Sequence, residues 1–261
     1  MPVVVQAVMD SFNDPNLEVG TLADKISMDE GVSTRVLRVA NSSFFGLSCR
    51  VSSIHDAVVV LGFNSIRSLA MAAGLVHLFP KSGQGQFDHQ VFWLNSLRVA
   101  AAARGLAGCC RLESETAFTA GLLHDIGQMV LNTCLHEEFD AVLKRYHEDG
   151  GDLYALEREM LGFDHAQVGV EVARRWNFPE VIQQVIQSHH EASLAGNDPL
   201  VCIVHLAGLL VQEMDAGASD DEMLVRLPLE LCAIAAPEEK IRSRLEDIRR
   251  MVTEATQLLE E

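Results

Sequence analysis

The sequence predicts an all-α protein, an N-terminal bundle of short helices packed on a C-terminal helical subdomain. Two observations carry that expectation. Apolar residues recur at i, i+3, i+4 and i+7 in nearly every segment between turn residues. Strand-like alternation with hairpin signals is almost absent.

Taken in order, short helical patterns in the N-terminal third are separated by Asp14-Pro15-Asn16, Asp29-Glu30-Gly31 and Gly46. The stretch Ser52 to Leu61 stops at Gly62, and Asn64 is placed to cap the next helix, which runs towards Phe79. The segment Pro80 to Gln86 is rich in Pro, Gly and small polar residues that neither pack nor hold a helix, so a boundary is expected there. The resulting division is 1–80, a connector at 81–87, a second subdomain at 88–214 and a C-terminal extension at 215–261. Asp88 to Cys110 reads as a long helix whose Ala100 to Ala103 run permits close approach of a neighbour, and Pro199 to Met214 as a second long one. The acidic stretch Asp215 to Glu222 is expected to be an exposed loop, and Pro228 and Pro237 divide the remaining C-terminal residues. From Glu238 to Glu261, Ile241, Leu245, Ile248, Val252 and Leu259 recur at helical spacing and predict an amphipathic helix packed on the domain, with a partner-binding helix as the alternative. Met9, Met28, Met71, Met129, Met160 and Met214 lie on different helices and read as core filler. No internal repeat is visible.

Composition bounds the function. A chain of 261 residues with 48% hydrophobic and 22% charged residues can bury a sizeable core. Acidic residues outnumber basic ones by 37 to 20, a net charge of −17 that repels phosphate backbones and anionic headgroups, so nucleic-acid and membrane binding are disfavoured. Cys49, Cys109, Cys110, Cys134, Cys202 and Cys232 show no CxxC spacing and read as buried thiols in a reducing compartment. The N-terminus has no basic region before its apolar residues, and no apolar run approaches the ~20 residues that span a bilayer. The expected location is the cytoplasm.

The window Ala120-Gly121-Leu122-Leu123-His124-Asp125-Ile126-Gly127 is the most informative, because two polar groups interrupt an apolar helix pattern. An imidazole and an adjacent carboxylate can share a divalent metal where a helix ends, since a regular helix would splay them about 100° apart. The alternative is a helix end at which Asp125 caps the next helix and His124 bonds locally. His165 opens a further helix, and His189 and His190 close another, so a convergent polar pocket competes with independent core packing. Asn41 and Ser42 end the helix that contains Arg35 and Arg38; there the Asn tolerates a left-handed conformation and the Ser can cap the next element, a structural role preferred over ligand binding. The two arginines read as solvated, with no ligand assigned.

The LLHDIG stretch, the DHAQVGVEVARRWNFPEVI stretch and the HHE after it resemble the HD superfamily of metal-dependent phosphohydrolases. SMDEGVSTRVLRVANSSFFG, VSSIHDAVVVLGF and NSIRSLAM are similar to its HDOD branch, the HD-related output domain of bacterial signalling proteins, from about the first helix through His205. The resemblance implies an all-α fold with an HD-like C-terminal half. It also implies a histidine on the helix before the HD pair and an aspartate on a later helix, where this chain has Asn95 and Gly208. An amide is a poor ligand for a first-row cation and glycine supplies none, so the HD site is expected to be degenerate and no cofactor is expected. His124, Asp125, His165, His189, His190 and His205 remain as an alternative divalent-metal set. His189-His190-Glu191 is similar to HD phosphodiesterases of cyclic dinucleotides, but the Gly-Tyr-Pro that should come next is absent. The expected function is a non-enzymatic regulatory module that acts through a signalling protein partner, with homo-oligomers allowed. The alternatives are a metal-dependent phosphohydrolase or phosphodiesterase with a rearranged site, and a nucleotide-binding sensor.

Overall fold

The structure is a computed structural model that describes residues 3–13, 19–42, 44–47, 49–78, 85–190, 198–228 and 238–257. Among them every regular element is an α-helix. The expected breaks at residues 14–16, most of the 80–86 connector, Glu191, Cys232, Pro237 and Leu259 lie outside the described residues.

The first five helices are α1 (Val3–Asn13), α2 (Val19–Met28), α3 (Glu30–Ala40), α4 (Ile54–Leu61) and α5 (Phe63–Leu78). α1 and α3 pack on α5, and α2 on α4. Gly62 ends α4 at φ 87°, as its position predicts. Asn64, in contrast, lies inside α5 and not ahead of it. Asn41 ends α3 at φ −87°, so no left-handed turn is used, and Ser42 Oγ donates backwards to Val39 O (2.6 Å) rather than capping the next element.

The second group is α6 (His89–Cys110), α7 (Ser114–Leu123), α8 (Ile126–Cys134), α9 (His136–Asp149), α10 (Leu153–Leu161), α11 (His165–Arg175), α12 (Glu180–Ser188) and α13 (Pro199–Asp215). α6 is the central rod, packed against α7, α13 and the C-terminal helix. Its alanines 100–103 are fully buried, and a Cβ on Gly121 of α7 would fall 2.8 Å from Ala100 Cα. Small side chains on both helices therefore let the backbones nearly touch, as the alanine run predicts. One apolar core runs from α1 to the C-terminal helix, and Ser68 of α5 and Thr119 of α7 share a buried hydroxyl pair at 2.6 Å. A smaller core around Phe139 joins α8, α9 and α10.

The chain closes with α14 (Asp220–Arg226), α15 (Glu238–Arg242) and α16 (Leu245–Gln257). The acidic stretch is thus not wholly loop: Ser219 accepts from the Glu222 N–H, and the Glu222 carboxylate accepts in return from the Ser219 N–H, a reciprocal pair that starts α14. The tail is two helices, broken at Ser243-Arg244, with Ile241, Leu245, Ile248 and Val252 buried as expected. Met9, Met71 and Met129 are core, whereas Met28 (85% exposed) and Met160 face solvent at helix ends where nothing packs over them. Cys109 and Cys202 are buried, but Cys49 and Cys134 are exposed, because one lies between helices and the other ends a helix. Aspartates 29, 88, 152, 164 and 198 accept backbone N–H bonds at helix starts, which accounts for part of the acidic excess. No helix among the described residues is long and apolar enough to cross a membrane.

Candidate metal centre

The His-Asp pair sits at the break its sequence predicts, between the end of α7 at Leu123 and the start of α8 at Ile126. Asp125 makes no side-chain cap to α8, which overturns that half of the alternative and leaves the carboxylate free to turn inward, while His124 does bond locally, to Gly121 O. Gly127 then sets the distance to the next contributor. A Cβ there would fall 1.8 Å from the His165 carbonyl oxygen, so α8 and α11 can meet backbone to backbone only at glycine. Gly169 completes the crossing from the other side.

Each ring is aimed by its Nδ1. His124 Nδ1–H donates to Gly121 O (2.6 Å), His189 Nδ1–H to Ile186 O (3.0 Å) and His205 Nδ1–H to His189 O (2.7 Å). His165 Nδ1–H donates to Glu157 Oε2 (2.6 Å), which also accepts the His165 backbone N–H (2.7 Å). Carbonyl and carboxylate oxygens only accept, so these partners hold a proton on Nδ1, and in the neutral ring that leaves the Nε2 lone pair facing outward, the atom that can bind a metal. Asp125 Oδ1 lies 3.2 Å from His165 Nε2 and 3.1 Å from His189 Nε2, and His165 Nε2 lies 2.8 Å from His190 Nε2.

Electrostatics reflect that crowding. Burial alone would raise the Asp125 pKa, yet the charge of His124 and the close approach of the His124, His165 and His189 rings hold it well below the usual carboxylate range. Burial alone would likewise keep His165 neutral, but the bonds and charges of Asp125 and Glu157 push it up to about 10. His124 is raised despite burial, chiefly by the Asp125 charge. His189 is lowered by burial, and His190 falls to about 3 through burial and the neighbouring His189 and His165. The cluster calls for positive charge at its centre while suppressing it on two of its own rings.

That demand is the test of a cation. Asp125 Oδ1 and His189 Nε2 are buried and make no hydrogen bond of sound geometry, although they face each other. Buried acceptors so placed are costly unless something positive lies between them. Ligand atoms of Asp125, His165, His189 and His190 all lie within 4.8 Å of one another. Four tetrahedral donors on an ion at about 2.1 Å stand about 3.4 Å apart, so a set gathered within 4.8 Å is of the right chemistry for one first-row ion and would close on it by a small inward shift.

Residues 1–192 match the description of the HDOD domain. The chain belongs to the HDOD domain family. Two solved structures share the fold of this HDOD chain over nearly its full length. A candidate phosphohydrolase from Shewanella amazonensis is 29% identical with a TM-score of 0.85, covering 99% of this chain and 94% of its own. An HDOD domain protein of unknown function from Geobacter sulfurreducens is 25% identical, also at 0.85, covering 100% and 92%. An uncharacterized protein of Treponema pallidum is 24% identical over 253 residues, which are 95% of this chain and 48% of that protein. The chain thus spans about half the length of that curated relative.

Within the HDOD chain the six candidate donors divide. Asp125, His165, His189 and His190 converge. His124 faces the other carboxylate oxygen, with Nε2 3.2 Å from Asp125 Oδ2. His205 stands behind His189, held to its carbonyl, and lies with Gly208 beyond the matched span. Asn95 is half-buried on α6, and open space surrounds the place of a side chain on Gly208, which itself offers no ligand atom. Glu157, fully buried on α10, is the residue sequence reasoning missed. Its signal was its place between Leu153 and Leu161 at intervals of four, on the apolar face of α10.

Proposed function

We propose that this HDOD chain is a regulatory module whose HD-derived centre holds one divalent transition ion and which acts through a protein partner without turning over a substrate. The observation that carries this reading is the completeness of the donor set. Four protein donors drawn onto one tetrahedral ion would fill its shell, and a filled shell would leave no position for the water that metal-assisted hydrolysis requires. Bound there, the ion would supply a fixed positive charge in place of shared protons. Glu157 and the Ile186 carbonyl orient two of the donors, and Asp125 neutralises the charge. The HDOD family and its place among output domains support the regulatory role.

Elemental analysis joined to an activity screen tests this. Protein purified without chelator should carry about one equivalent of zinc or a similar ion, and should leave nucleotides and phosphodiesters intact across several cations. Metal-dependent turnover would overturn the non-enzymatic reading; absence of metal after reloading would overturn the centre itself. One observation favours a second reading, hydrolysis at the same centre. His190 is the least buried of the four donors, and its departure would leave three protein donors and one open position. Turnover that appears in a His190→Ala variant would favour that reading.

A further inference from the structure

Arg38 and Asn41 take no part in the metal centre, and the fold gathers them with Arg50 around a cleft of about 880 Å³. Its wall is formed in advance. Asn41 Nδ2 donates to Leu37 O (2.8 Å) and Val51 O (2.9 Å), and Asn41 Oδ1 accepts from the Val51 N–H (2.8 Å). One carboxamide thus ties the end of α3 to the residue that leads into α4. Between them Phe44 is buried, edge-on to Phe45 and 6.1 Å from the Phe118 ring, which anchors the rim to α7. Lining residues tied down in this way lose little freedom when a ligand arrives.

The lining is chemically divided. Leu37, Leu47 and Val51 form an apolar floor, whereas Arg38 and Arg50 are exposed and make no ion pair among the described residues. Arg98, Arg104, Arg145 and Arg226 each hold a carboxylate, whereas these two, which share one cleft, are left open to a ligand. Guanidinium forks match phosphate oxygens with paired N–H bonds, and a volume of this order suits a nucleotide rather than a bare anion.

We propose that this cleft binds an organic phosphate of nucleotide size, with its phosphate at Arg38 and Arg50 and its body on Leu37, Leu47 and Val51. α3 and the loop after it build the site, so it is independent of the donors from the α7–α8 junction, α11 and α12. Cys49 lines the same cleft with an exposed thiol and serves as a local reporter; Cys134, exposed at the end of α8, is the internal control.

The experiment alkylates the intact chain with neutral iodoacetamide and reads each cysteine peptide by mass spectrometry. GMP, cyclic di-GMP and inorganic phosphate are the probes, each compared with no addition. At about ten times its dissociation constant, a nucleotide should slow modification of Cys49 about tenfold and leave Cys134 unchanged. Inorganic phosphate should protect far less. The double variant R38A/R50A should lose the protection while keeping its circular dichroism and its metal content, since both side chains are exposed. No protection of Cys49 by any probe at millimolar concentration would overturn the proposal. So would equal slowing at Cys134, or protection that persists in the double variant.

Discussion

A single glutamate decides how firmly His165 is held. Glu157 Oε2 takes both N–H groups of that residue, so Glu157→Gln should lower metal affinity about 10- to 100-fold, measured by competition with a chromogenic chelator. Affinity equal to that of the parent would show that the carboxylate does not tune the centre. Gly127→Ala tests the crossing: a methyl group 1.8 Å from the His165 oxygen must push two backbones apart. Urea unfolding should show a loss of about 1–3 kcal/mol or more, with metal content falling in parallel. The His-Asp pair was legible in the sequence because polar residues stood out against an apolar helix pattern. Glu157 was hidden, because its partner lies on the next helix and a lone glutamate in LYALEREML reads as solvated until its spacing with Leu153 and Leu161 is weighed.

At the scale of the element, α6 carries the clearest expectation. Burial pushes the Cys110 thiol up to about 11, with the adjacent Cys109 adding to the effect, and raises Cys109 as well. A thiol whose folded pKa exceeds its unfolded value contributes stability that is complete below pH ~9 and is lost as pH rises from there through about 11. Alkylation at pH 8 should therefore modify Cys49 and Cys134 in the folded chain and reach Cys109, Cys110 and Cys202 only after unfolding, as peptide mapping would show. The long helices were readable from periodicity and their aspartate starts. The break between α15 and α16 was not, because Ser243-Arg244 contains neither glycine nor proline; burial of Ile241 on one side and Leu245 on the other decides it. α14 carried its own signal, the Ser219-Asp220-Asp221-Glu222 box, masked by the acidity of the segment around it.

For the whole molecule, the donors come from three stretches of chain, at residue 125, residue 165 and residues 189–190, which periodicity alone cannot bring together. An ion that binds only the folded arrangement must stabilise the fold by mass action. Zinc at about 100 times its dissociation constant should add about 2.7 kcal/mol, read as a rise in melting temperature that a chelator reverses and His189→Ala abolishes. No shift in the parent would show that the four atoms do not act together. The meeting of α8 with α11 has a mechanical corollary. No side chain separates Gly127 from Gly169, so the spacing of the two helices there is set by backbone atoms alone. His165 opens α11 at that same contact, and the position of the whole helix against α8 is therefore also the position of its ring in the cluster.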